Sequence, residues 1–222
     1  MDPAQLVTGL LQYAVLLFSL VFHEFGHAWT ALRCGDPTAK RLGRVTLNPL
    51  AHADLVGTLI LPLVQIFTHV PLIGWAKPVP FNPANLRHPR RDDMLIAVAG
   101  PGFNIILALA ASFVLRLVIM AAPLAGEGHA GTLVELLFRV LPWFMQINVM
   151  LAVFNLIPVP PLDGSWILYH LLPRELAYRY RVFGARWGVL LLLALVYTSA
   201  SRIFLTFGYS ILAPVLRAVA GL

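Results

Sequence analysis

Long apolar runs, broken by short polar or proline-rich stretches, set the organisation of this chain. Residues 6–32 form the first run, long enough for a membrane helix, and it stops at Arg33-Cys34-Gly35-Asp36-Pro37, where glycine and proline end helices. Residues 94–120 and 133–157 repeat the pattern, and two further apolar segments, 183–197 and 203–219, close the chain. Residues 55–70 differ: about 16 residues make roughly 24 Å of helix, short of a ~30 Å hydrocarbon core, and Pro62 interrupts them. That segment is expected to enter the bilayer and return. Between the runs, 41–47 alternates as a short strand would, and 74–81, within the proline-rich stretch 71–89, is expected to be extended or a hairpin.

The pattern predicts an all-α polytopic membrane protein with about five to six transmembrane helices, one short re-entrant segment and a small strand or hairpin element near the membrane surface. Composition agrees: 222 residues, 59% hydrophobic and 12% charged, with mean hydropathy +0.80, lie outside the range of ordinary globular domains. The length suits one integral-membrane domain, 1–222, with a core of about 6–172 and a C-terminal helix pair of about 178–219. No appended soluble module is expected, and the N-terminus, lacking a basic region before its apolar run, does not read as a signal peptide. The net charge of +6 raises nucleic-acid binding, but the basic residues form no patch with interleaved aromatics, so no nucleic acid is expected. Cys34 is the only cysteine, which removes a disulfide framework and any cysteine-based zinc site.

Chemistry enters with His23-Glu24-Phe25-Gly26-His27, an H-E-x-x-H pattern inside the first apolar run. Residues four apart share a helix face, so His23 and His27 can hold one metal ion, and Glu24 beside them can take a proton from a water the metal activates. Polar groups at this density in an apolar helix cost a few kcal/mol each unless partnered. A hydrolytic zinc commonly has three protein ligands and one open position. Asp163, after Pro158-Val159-Pro160-Pro161-Leu162 and before Gly164, is the best candidate for the third; its alternative role is to cap the helix that follows or to turn the chain.

His23-Glu24-Phe25-Gly26-His27 together with Asn155-Leu156-Ile157-Pro158-Val159-Pro160-Pro161-Leu162-Asp163-Gly164 resembles the site-2 protease family of intramembrane zinc metalloproteases. Gly100-Pro101-Gly102-Phe103-Asn104 is similar to the family's Gly-Pro-x-x-Asn element. Asn48-Pro49-Leu50-Ala51-His52 and Gly74-Trp75-Ala76-Lys77-Pro78-Val79-Pro80 are similar to its compact branch without a PDZ domain. The resemblance covers roughly residues 10–170. It implies one zinc per chain on His23, His27 and Asp163, Glu24 as the catalytic base, and Asn155 positioning the substrate or its developing oxyanion.

Convergence of the three ligands constrains the topology. His23 and His27 lie in the second half of the first helix and Asp163 follows the helix 133–157, so those two helices should run in the same direction, with 94–120 returning between them. Twelve of the 16 basic residues then fall on one side: Arg33, Lys40, Arg41 and Arg44; Lys77, Arg87, Arg90 and Arg91; Arg174, Arg179, Arg181 and Arg186. The positive-inside rule makes that side cytoplasmic. Compactness points to a microbial source, and so to the cell membrane of a prokaryote with the site toward the cytoplasm.

A substrate helix must unwind before hydrolysis, and the segment carrying Trp75 and Pro78 could hold the unwound stretch as an added strand; its alternative is a structural surface loop. Asn104 is a further candidate substrate contact, although hydrogen bonding between helices is the default for it, and Asn148 is expected to be structural. His52, His69, His88, His129 and His170 lack ligand spacing, with His52, near Asp54, retaining a gating or supporting role. The expected function is intramembrane zinc metalloendopeptidase, with the lipid bilayer and a transmembrane protein substrate as partners and no oligomeric state specified. The alternatives are a divalent-metal transporter, against which the lack of internal symmetry speaks, and a zinc-dependent membrane hydrolase of lipidic substrates.

Overall fold

The computed structural model describes residues 2–68, 74–124, 128–198 and 200–222. His69 and Val70, at the end of the expected short segment, lie outside the described residues.

Helix α1 spans Pro3–Arg33. Asp2 starts it by accepting from the Ala4 N–H, and Gly35 ends it at φ 109°, a left-handed conformation that suits a residue without Cβ. The short helices α2 (Thr38–Arg41) and α3 (Pro49–His52) follow, then a π-helical turn, Leu55–Ile60, which leads into α4 (Leu61–Thr68). The long helices α5 (Pro89–Ala121) and α6 (His129–Asn155), the short α7 (Asp163–Leu171), and α8 (Arg174–Tyr197) and α9 (Ala200–Ala220) complete the chain.

Contacts fix the helix directions. His23 meets Asn104, His27 meets Ile96 and Cys34 meets Arg87, so α5 runs antiparallel to α1. Helix α6 packs beside both, and along α1 its contacts rise in step: Phe18 meets Phe144, Ser19 meets Asn148, and His23 meets Asp163 just beyond the end of α6. Helices α1 and α6 therefore run in the same direction, the arrangement the ligand spacing requires. Helix α9 runs with α5: Gly208 abuts Val153 of α6, and further along the Leu216 carbonyl accepts from Ser112 of α5.

Among the described residues four helices are long and apolar enough to cross a membrane: Pro3–Arg33, Pro89–Leu124, His129–Asn155 and Arg202–Ala220. Their outward faces expose Ile106, Phe113, Leu117 and Met120 among others, apolar area that suits lipid. The chain is an integral membrane protein, and the expected five to six spans are corrected to four candidates. The surplus came from 183–197. Arg186 breaks its apolar character, and Gly184 and Gly188 pack α8 against Pro160 instead.

Among the described residues there is no strand, so the strand at 41–47 and the hairpin at 74–81 are also corrected. Residues 41–47 end α2 and turn toward α3. Residues 74–81 are neither helix nor strand and build no ladder. The N–H groups of Trp75, Lys77 and Val79 go to three unlike acceptors: the Gly57 carbonyl, the His52 carbonyl and the Glu24 side chain. Pro78 and Pro80 between them have no N–H to give. The segment leading to α4 climbs along α1 toward its N-terminus, with Thr58 held by Tyr13 and Ile66 against Gly9, and 74–81 comes back down, with Ala76 packed on Leu16 and Leu20.

Candidate metal centre

Three helices build the imidazole pair. The His27 Nδ1 lies 2.7 Å from the Ile96 carbonyl, which only accepts, so Nδ1 carries the proton. Pro101 opens the turn of α5 beyond that carbonyl. The His23 Nδ1 lies 2.7 Å from Asn104 Oδ1. The Asn104 amide nitrogen donates to the Ser19 carbonyl at 3.1 Å and to Asn148 Oδ1 at 2.9 Å, which turns its oxygen to His23 and makes His23 the donor there too. Asn148 in turn donates to Ser19 Oγ at 2.9 Å and the Phe144 carbonyl at 2.8 Å. Asn104, Asn148 and Ser19 are fully buried, so this chain of hydrogen bonds satisfies every member where an unpaired polar group is most costly.

With both Nδ1 protons assigned, the two Nε2 atoms present lone pairs to each other at 3.1 Å. Asp163 Oδ2 sits 3.2 Å from the His23 Nε2 and 3.4 Å from the His27 Nε2, is buried, and accepts no hydrogen bond. Two imidazole lone pairs and an orphaned carboxylate oxygen, all within 4.8 Å of one another, repel unless a cation lies among them. Neutral imidazoles and a carboxylate are donors that suit a zinc-like divalent ion. Gly100 makes room for this cluster, since a Cβ there would overlap His27 Nε2 and both Cε1 atoms of the pair.

Asp163 opens α7 as its first helical residue; Leu162 occupies the cap position and no side chain caps the helix. The capping alternative therefore does not describe Asp163. The helix dipole favours its negative charge at that end. Gly164 lets the turn press on the end of α6, where a Cβ would overlap the Leu156 carbonyl, and Tyr180 of α8 donates to the Pro158 carbonyl. The far end of α7 is tied to α5 by His170, whose Nε2 lies 2.6 Å from Asp93 Oδ2, and by Arg90, which donates to the His170 carbonyl.

Glu24 is half-buried beside the pair, and its Oε2 accepts from the Val79 N–H at 3.2 Å. Arg44 is buried, 6% exposed, and its Nη2 donates to the Lys77 carbonyl and, at 3.3 Å, to the Pro78 carbonyl. Burial pushes the Arg44 guanidinium below its ordinary value, and the nearby Glu24 carboxylate opposes that shift.

His23, His27 and Asp163 are thus brought together, with Glu24 adjacent. Trp75 and Pro78 lie exposed on the segment that passes Glu24, and the Trp75 indole covers Gly57. Asn155 ends α6, and its amide nitrogen donates to the Leu151 carbonyl of its own helix. Asn104 sits behind His23, fully buried, with its side-chain oxygen on the imidazole. His52 is buried and donates to the Thr46 carbonyl, whereas its neighbour Asp54 caps the π-helical turn. Four further participants emerge only from the packing: Ser19, the Ile96 carbonyl, Arg44 and the steric role of Gly100. Ser19, four residues before His23 in an apolar run, was the one legible signal; a backbone carbonyl leaves none.

Apolar helices of membrane-spanning length surround a two-imidazole, one-carboxylate donor set with a neighbouring glutamate, a group that could hold a metal ion. The chain belongs to Peptidase family M50, which matches residues 12–132 and 118–195. It is 39% identical over 167 residues to YwhC of Bacillus subtilis, a proposed zinc metalloprotease, across 74% of this chain and 71% of that protein. It is 31% identical over 192 residues to Rip2 of Mycolicibacterium smegmatis, also a proposed zinc metalloprotease, across 86% of this chain and 68% of that one. Rip2 of Mycobacterium tuberculosis is 35% identical over 152 residues, 52% of its length. No solved structure matches the chain significantly.

Proposed function

We propose that this protein is an intramembrane zinc metalloendopeptidase that cleaves membrane-protein substrates within or next to their transmembrane segments. The observation that carries the reading is the pair of Nε2 lone pairs turned on an orphaned Asp163 oxygen. His23, His27 and Asp163 would hold one zinc ion, which when bound activates a water and polarises the scissile carbonyl. Asn104 and the Ile96 carbonyl keep the imidazoles in the tautomer that binds metal. Glu24 takes the proton of the attacking water and passes it to the leaving amine. The segment 74–81 offers its outer edge to an unwound substrate, with Trp75 and Pro78 exposed along it and Asn155 near the end of α6 as a further contact. Of the expected re-entrant segment 55–70, the described part, 55–68, enters the bilayer without spanning it, and the positive-inside rule sets the site toward the cytoplasmic side of a prokaryotic cell membrane.

Membership of a peptidase family favours hydrolysis over metal transport or lipid cleavage. The test is co-expression of a membrane-anchored reporter with the wild type or with Glu24→Gln. The wild type is expected to cleave it, and Glu24→Gln to lose at least about 100-fold in turnover with zinc content unchanged. Retained cleavage in the zinc-loaded variant removes Glu24 from the mechanism. A comparison of the membrane proteome in the two backgrounds should then reveal a single-span protein that accumulates with the variant.

A further inference from the structure

Arg44 lies in the turn after α2, far in sequence from the segment 74–81, yet it is buried against that segment. A buried guanidinium is costly unless its donors are satisfied and an anion is near. Nη2 is satisfied by the carbonyls of Lys77 and Pro78, whereas Nε is buried with no partner. No carboxylate forms a salt bridge with Arg44 among the described residues. The anion whose field it feels is Glu24.

One peptide group connects the two charges. The Pro78 carbonyl and the Val79 N–H belong to the same planar unit and point in opposite directions. The carbonyl accepts from Arg44 at 3.3 Å, and the N–H donates to Glu24 at 3.2 Å. The peptide dipole is thus aligned with its positive end on the carboxylate and its negative end on the guanidinium. Hydrogen bonds to charged groups at both ends of one peptide reinforce each other.

We propose that Arg44 is a positioning residue for Glu24, acting through the Pro78–Val79 peptide group. Arg44 fixes the orientation of that peptide, and the peptide fixes the carboxylate beside the imidazole pair. The inference rests on the reading of Glu24 as the base, but the link itself is testable without turnover. Pro78 and Pro80 have no amide hydrogens, so in the stretch 78–81 only Val79 and Phe81 exchange, and the Val79 signal can be isolated.

Amide exchange of the full-length protein in proteoliposomes, compared between the wild type, Arg44→Lys and Arg44→Gln, reads the link directly. Protection at Val79 is expected to fall about tenfold in Arg44→Gln and to be partly restored in Arg44→Lys, with zinc per chain unchanged. Steady-state cleavage should show a kcat about tenfold lower in Arg44→Gln with KM within a factor of about two. Val79→Pro, which removes the N–H and leaves Arg44 in place, should lower kcat comparably, and the double variant should be no worse than the worse single one. Unchanged Val79 protection overturns the proposal. So does a loss that follows zinc content, or one confined to KM. A wild type that exchanges as expected but cleaves nothing refutes the proposed function while leaving the Arg44–Glu24 link standing.

Discussion

Two halves of one site are built differently. The imidazole half is over-determined: α1, α5 and α6 meet at Ser19, Asn104 and Asn148, each fully buried and each satisfied by another. The base half depends on a non-helical segment, with half-buried Glu24 held by one N–H from a stretch whose geometry is set by Arg44 and by carbonyls of the α3 and π-turn region. Metal ligands must keep their spacing before and during turnover, which favours rigid helices and saturated hydrogen bonds. In the proposed mechanism the base must also be reachable by an incoming peptide, which a segment outside the helix packing permits. On the proposed function, the saturated hydrogen bonds lie around the residues that would hold the cation, and the non-helical segment lies beside the base.

The comparison breaks most severely at Gly100. Valine there would drive its side chain into both imidazoles, and zinc affinity, measured by chelator competition, is expected to fall by more than the ~100-fold that loss of an orienting partner costs. Unchanged affinity would mean that the rings can move aside, and that the imidazole half is not rigid. Asn104→Ala removes the acceptor of the His23 Nδ1 proton and leaves Asn148 and Ser19 short of partners; about 10–100-fold weaker zinc binding is expected in the same assay. An effect on KM alone would instead make Asn104 a substrate contact. His170→Asn tests the outer tether of α7. It keeps a polar side chain but weakens the pairing with Asp93, and since Asp163 lies at the opposite end of that helix, a loss of only a few-fold in zinc affinity is expected, well below that of Asn104→Ala.

The convergence of His23, His27 and Asp163 was more legible in the sequence than the architecture around it. His23 and His27 announce themselves by spacing on one apolar helix, and Asp163 by being an acid where a third ligand was needed. The shared direction of α1 and α6 also followed from that requirement and from the charge distribution. What holds the ligands was only half visible. Ser19 and Asn148 were plainly polar residues in apolar runs, but their pairing exists only once three helices pack, and the Ile96 carbonyl has no side-chain signature. The span at 183–197 was over-read because its leucine-rich end outweighed Arg186, whereas α8 uses Gly184 and Gly188 to lie against Pro160. The hairpin at 74–81 was over-read for a related reason. The prolines keep the stretch out of a helix, but they also remove donors, and Trp75, Lys77 and Val79 find partners in three separate places.

The most direct measurement is the zinc content of the purified, detergent-solubilised protein beside that of Asp163→Ala. One zinc per wild-type chain, lost from the variant while its helical content stays the same, is the predicted result. A variant that keeps its zinc, or a folded wild type that never binds any, would contradict the convergence of His23, His27 and Asp163 on a single ion.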